Sequence, residues 1–351
     1  MKVTLAILAV LACALTFSAA PEAAPRAASL LPDIDQGPVG CPGGWKGDPM
    51  TCQDWDVCLV ESTTDPNAGC VTGGDVKAVR LRFTTTEDNV GDGPLLVYGR
   101  RGSRAQKRMR IRQAFARADG TLPGSYAAAQ HTIGDPTRNY LYYEPSASHE
   151  HWHLQGFEHF QLRRPDGTTL VQDRKNGVCL GDRYTARAAG RLPRAAKDTA
   201  TPLGRLHHAL AYNTGNRPSA YNCQHGRTAA SSIREVREGI SVGQGDDYTY
   251  NIDFQWLDIS RVPSGRYLVV NEANSRRALT EKRYDNNAAS ILVSIQWPDG
   301  AVNPPAKISA APEVKLLASC PDAASCAAPA QASAARARIA SGRALVCPLR
   351  Q

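Results

Sequence analysis

Short runs in which apolar and polar residues alternate, separated by turns of Gly, Asp, Asn and Pro, recur along this chain of 351 residues. Alternation with period two marks half-buried strands, because successive side chains of a strand point to opposite faces. Residues 76–99, "VKAVRLRFTTTEDNVGDGPLLVYG", predict strand, turn and strand. In residues 100–120, Arg108, Arg110 and Arg112 alternate with Met109 and Ile111. That spacing predicts a strand with a basic outer face, followed by an Asp-Gly turn. Residues 159–173, "HFQLRRPDGTTLVQD", predict a hairpin turning at Asp166 and Gly167. Residues 251–274 predict two strands around Pro263 and Gly265, and residues 284–297 a last strand after an Asn-rich turn. Many short strands with little helical periodicity predict an all-β fold, an antiparallel β-sandwich with long loops.

The remaining segments lack that pattern. Residues 183–238 are rich in Ala and Arg and carry few strand signals, so long loops with at most a short helix are expected. Residues 301–351 form an Ala/Pro-rich tail, expected to be mostly disordered, with Cys320, Cys326 and Cys347 closing small local loops. Residues 21–29 are a flexible lead-in. There is no internal repeat.

The first residues set the compartment. One lysine, an apolar run from Val3 to Phe17, and small residues after it describe a signal peptide over residues 1–20, cleaved after Ala20. The run is shorter than the roughly 20 apolar residues of a membrane span. A lipoprotein reading through Cys13 is disfavoured because the apolar run continues past it. The protein is therefore expected to be secreted, where cysteines pair. Of 10 cysteines, nine remain once Cys13 leaves. Cys41, Cys52, Cys58 and Cys70 predict a disulfide-stapled insertion over residues 41–74. A zinc site is the rival there, but no Cys-x-x-Cys pair supports it.

Composition changes this picture little. With 42% hydrophobic and 21% charged residues the chain is of the globular class. Net charge is +8, one less without Lys2. A basic secreted protein meets acidic polymers or anionic surfaces, so an acidic surface partner is expected. The arginines at 108–112 are read as a solvated strand face, and no nucleic-acid partner is expected.

The candidate chemistry stands in residues 148–160, "SHEHWHLQGFEHF", which hold four of the chain's 8 histidines. In a strand His149, His151 and His153 share one face, with Glu150 and Trp152 on the other. Neutral imidazole is a common metal ligand, and three nitrogens suit copper, zinc, iron or nickel, copper(II) binding most tightly. A flat strand would hold His149 and His153 about 13 Å apart, so a common ion requires a twist, bulge or loop. The plainer alternative is a His-rich surface strand that binds nothing.

"HEHWH" followed by Phe157, His159 and Leu162 resembles the copper motif of the lysyl oxidase family. "DRKNGVCLGD", residues 173–182, resembles the segment carrying that family's cofactor lysine, here Lys175. "GISVGQGDDYTYNIDFQWLDIS", residues 239–260, resembles the segment carrying its partner tyrosine, with Asp246 two residues before Tyr248. "EKRYDNNAASILVSI" resembles its closing strand, and "LLPDI" and "NVGDGPL" resemble entry segments of its bacterial members. The collinear resemblance covers roughly residues 30–297. It marks residues 30–300 as a lysyl oxidase-like catalytic domain of bacterial type. Three features depart from the family: the four-cysteine insertion, the Arg-rich stretch 183–219, and Gln244 where bacterial relatives often carry an aromatic.

The resemblance implies an enzyme, a copper-dependent amine oxidase. His149, His151 and His153 would bind Cu2+, and Lys175 and Tyr248 would form lysine tyrosylquinone. The quinone condenses with a primary amine, a base removes the proton next to nitrogen, and hydrolysis releases an aldehyde. Reoxidation by O2 yields NH3 and H2O2. Substrates would be protein lysine side chains or small primary amines. Candidates for the base are Asp246, His159 and Asp253, and Tyr250 is a possible register alternative to Tyr248. The family pairs cysteines at positions comparable to Cys179 and Cys223, which implies a bond pinning the lysine loop near the tyrosine. The alternative from another class is a non-catalytic, metal-binding extracellular β-sandwich.

Overall fold

The computed structural model describes residues 28–133, 135–144, 150–173, 177–186, 200–201, 204, 223 and 230–326. The described regular elements are β-strands and three-residue 3-10 turns, and every strand pairing is antiparallel. No described helix is long and apolar enough to cross a membrane.

Two sheets form a sandwich. One runs Thr169–Gln172, Glu158–Arg163, Gly265–Ala273, Ala288–Gln296 and Glu313–Cys320 in spatial order. The other runs Trp256–Asp258, Ala78–Phe83 and Trp55–Val60. Between them Val79, Leu81, Phe83, Phe160, Leu162, Val269, Ile291 and Val293 are buried together. Phe83 and Phe160 meet edge to face at 5.1 Å, joining the layers. Alternation places these residues inward, and burying each such side chain stabilises the fold by about 1.5–3 kcal/mol. Leu268, Val270 and Leu292 point to the opposite face, where Ala318 lies beside Leu292 and Ala324 and Cys326 pack against them.

A second core holds the candidate site. One sheet runs Glu235–Ile240, Leu95–Arg100, Arg108–Gln113, Leu141–Glu144 and His151–Leu154, with His131–Thr132 also on Arg108–Gln113. A four-stranded sheet runs Ile34–Gln36, Thr85–Asn89, Gln244–Tyr248 and Tyr184–Thr185. Met109, Ile111, Leu141, Trp152, Leu154, Val178, Cys179 and Tyr248 are buried in one cluster.

The alternating Arg/Met/Arg/Ile strand is present as Arg108–Gln113, with Met109 and Ile111 buried and Arg108 and Arg110 exposed. The hairpin between Glu158–Arg163 and Thr169–Gln172 is present, with Gly167 at φ 90°. Four expectations change. Residues 76–99 form three strands: at Thr84 the chain leaves one sheet for another, its N–H bonded to the Asp54 carbonyl at 3.0 Å. The stapled stretch is bridged Cys41–Cys52 and Cys58–Cys70, but it is not separate, because its strand Trp55–Val60 forms a sheet edge. Glu235–Ile240 is a strand within a stretch read as loop. Its buried alternate positions are Val236, Glu238 and Ile240, and the glutamate hides the apolar period.

The fourth change concerns the tail. Glu313–Cys320 is a strand paired with Ala288–Gln296, so residues 301–326 are not a tail without regular structure. Val314 and Leu316 pack on the sandwich core at alternate positions, and the pairing covers what would otherwise be a bare sheet edge. Cys320–Cys326 closes a loop as expected. Residues 1–27 and 327–351, including Cys13 and Cys347, lie outside the described residues.

Candidate functional site

Of the four clustered histidines, His151 and His153 stand on the strand His151–Leu154 and are 2% and 1% exposed. As residues i and i+2 they share a face, and their Nε2 atoms lie 2.9 Å apart. Trp152 points the other way into the apolar core, with the Arg101 guanidinium 4.8 Å from its ring. Glu150 has φ 35°, so extended alternation stops between His149 and His151. His149 lies outside the described residues.

The pair fits a metal. Two nitrogens bound to one cation at about 2.0–2.1 Å and at right angles stand about 2.9 Å apart. The same spacing fits one shared proton. Among the described residues no three His, Cys, Asp or Glu side chains converge, so the described site is a two-histidine pair. Register sets Glu144 opposite His151, a carboxylate that the sequence pattern did not single out.

Tyr248 ends the strand Gln244–Tyr248, 1% exposed, its ring centroid 6.4 Å from that of His153. The Cys179 backbone N–H donates to its hydroxyl. The Arg183 guanidinium lies 4.9 Å from its ring centroid. Burial raises the phenol well above its ordinary pKa, with Arg183 opposing and Asp246 and Glu238 adding. Tyr250 stands elsewhere, beside Arg82, its N–H bonded to Thr84.

Asp246 is fully buried. Its Oδ1 is 2.5 Å from Arg183 Nε, and its Oδ2 accepts the Gly181 N–H at 3.0 Å. Burial raises its pKa to about 7 against the lowering effect of Arg183. Glu238, also fully buried, accepts the Leu180 N–H at 2.9 Å, and burial raises it well above the ordinary carboxyl range. Asp182 accepts the Ser241 N–H at 2.7 Å, and burial raises it to about 7. Three carboxylates thus fasten residues 180–182 and the adjoining strands around Tyr248. The disulfide Cys179–Cys223 adds a covalent tie.

His159 lies on the strand Glu158–Arg163, its side chain 29% exposed and its Nδ1 3.6 Å from Asp173 Oδ2. Asp253 is buried, 6% exposed. Lys175 lies outside the described residues, but both flanks are anchored. Asp173 N–H bonds the Phe160 carbonyl at 3.1 Å, and Val178 and Leu154 exchange bonds of 2.6 and 3.1 Å. A Cβ on Gly177, φ 82°, would stand 3.0 Å from His153 Cβ.

Sequence reasoning missed Arg183, Glu238 and Glu144. Arg183 carried a signal, since it follows Asp182 at the end of a motif already singled out. The other two act through strand pairings that no local pattern encodes.

Part of the chain is similar to known proteins. Residues 219–302 match the model of the family described as lysyl oxidase. Lysyl oxidase homolog 2 of Bos taurus is 26% identical over 140 residues, 40% of this chain and 13% of that protein. Lysyl oxidase homolog 4 of Homo sapiens is 24% identical over 140 residues, covering 40% and 14%. Lysyl oxidase homolog 2A of Danio rerio is 24% identical over 167 residues, covering 46% and 18%. The chain thus spans less than a fifth of these relatives' length. Over residues 219–302, in which Asp246 and Tyr248 stand, the chain is similar to the lysyl oxidase family.

Proposed function

We propose that this protein is a secreted copper-dependent amine oxidase of bacterial lysyl oxidase type. On this reading His149, His151 and His153 hold the copper, and Lys175 and Tyr248 join as the quinone cofactor. The observation that carries it is the convergence of His151 Nε2 and His153 Nε2 at 2.9 Å beside the buried Tyr248 ring. Bound copper and the quinone would supply the redox chemistry that converts a primary amine, O2 and water to aldehyde, NH3 and H2O2. The chain supplies position. The Cys179 N–H and Arg183 fix the ring of Tyr248. Lys175 stands two residues from Asp173 and two from Gly177, and two residues span at most about 7 Å.

For the proton next to nitrogen, His159 is the better candidate. It is partly exposed and faces Asp173, a carboxylate that can orient its ring. Asp246 has both oxygens engaged by Arg183 and Gly181. Four disulfides among the described residues support an extracellular site of action.

Peptide mass spectrometry on protein produced with copper tests the reading. One cross-linked species joining the Lys175 and Tyr248 peptides is expected. Lys175→Ala should keep its copper and lose amine oxidation, whereas His151→Ala and His153→Ala should lose the copper. Separate peptides with copper bound would overturn the enzyme and leave a non-catalytic metal-binding sandwich.

A further inference from the structure

The register of one sheet carries a basic face onto the histidine strand. Arg108 stands opposite Tyr142, and Tyr142 stands opposite His153. Directly opposed residues of antiparallel strands project from the same face. Arg108, Tyr142 and His153 therefore form one row across three strands, and Met109, Leu141 and Leu154 form the row on the core side. At about 4.8 Å between strands, the backbones of Arg108 and His153 are about 10 Å apart. Arg110, opposite Arg100, extends the basic face.

Along this face runs a groove of about 830 Å³, lined by Arg100, Lys107, Arg108, Arg110, Tyr126 and Tyr140 among others, with no Asp or Glu among the described lining residues. Glu235 stands next to it, 3.3 Å from Arg100. The groove is built rather than incidental. The Arg108 guanidinium lies 4.0 Å from the Tyr140 ring centroid, and that of Arg112 lies 5.5 Å from Tyr126. A guanidinium held over an aromatic ring still has N–H donors for carboxylate oxygens. At its floor Arg101 donates to the carbonyls of Ile233 at 2.8 Å, Gln106 at 2.8 Å and Arg104 at 3.2 Å, which fixes the surrounding loops. Glu235 offsets one of these clustered cations, and a ligand bearing several carboxylates would relieve the repulsion among the others.

We infer that this groove binds the carboxylates of an acidic polypeptide segment and presents a primary amine of that polypeptide to the His151–His153 site. The second half rests on the amine-oxidase reading, and the first does not. The shared row of Arg108, Tyr142 and His153 favours a polypeptide, because one extended chain can lay its acidic side chains on Arg108 and Arg110 while its lysine extends along that row.

The test is fluorescence anisotropy on the metal-free full chain. The probes are equal-length labelled peptides, each with one lysine, in Glu-rich, neutral and Lys-rich versions. The Glu-rich peptide should bind about tenfold tighter than the neutral one and weaken as salt is raised. Arg108→Glu with Arg110→Glu should remove that advantage at an unchanged melting temperature. Arg110→Glu alone, at an exposed position, should remove part of it and serves if the double variant misfolds. Equal binding of all three peptides overturns the inference, as does affinity unaffected by Arg110→Glu. Binding of a sulfated polysaccharide without binding of the Glu-rich peptide also overturns it. No copper or turnover enters this assay, so it fails or succeeds independently of the Lys175–Tyr248 cross-link.

Discussion

Replacing both Cys179 and Cys223 by alanine removes the bond that ties the segment beside Tyr248 to a residue 44 positions away. Closing a loop of that length removes chain entropy from the unfolded state. The loop-closure relation gives about 4 kcal/mol for 44 residues and about 2 kcal/mol for the 6-residue separation of Cys320–Cys326. Cys179 and Cys223 are both fully buried, so truncation also removes packing and acts in the same direction. The effect also reaches the site, because the Cys179 N–H donates to the Tyr248 hydroxyl. Equilibrium urea unfolding of the two double-alanine variants is the assay, analysed at a common slope. The Cys179/Cys223 variant should lose roughly 2 kcal/mol more than the Cys320/Cys326 variant. Equal losses, or a larger loss at Cys320/Cys326, would refute the reasoning.

Three further outcomes follow from the same geometry. Tyr248→Phe leaves the buried Cys179 N–H without its acceptor and should cost about 1–3 kcal/mol, read from the urea midpoint. Asp182 has its pKa raised from 3.8 to about 7 by burial, so its share of stability is full below about pH 3.8 and is lost as pH rises through about 7. Asp182→Asn should flatten the fall in stability between these pH values, by up to about 4 kcal/mol, and an unchanged slope would exclude the shift. Gly177→Ala sets a Cβ 2.7 Å from the Leu154 carbonyl oxygen at φ 82°, and should cost about 1–2 kcal/mol in backbone strain alone. It should also lower the metal content of protein produced with copper, measured by elemental analysis.

The strand-rich character, the Asp166–Gly167 hairpin and the shared face of His151 and His153 are legible in the chain alone. Each depends on neighbours within a few residues, where period two and turn chemistry act. The resemblance to a known family supplied the Cys179–Cys223 pairing, which no spacing dictates. What the sequence concealed lies where alternation is overridden. Glu238 occupies an inward position and reads as a loop residue, yet it is buried because Leu180, 58 residues away, gives it a hydrogen bond. Glu313–Cys320 reads as tail because its strand pattern is weak and its partner edge, Ala288–Gln296, is invisible locally. Only tertiary structure sets Arg183 over Tyr248, Glu144 opposite His151, and Arg108 in one row with His153. Local periodicity fixes which face a side chain takes, whereas the strand that faces it is decided by long-range pairing and the burial it permits.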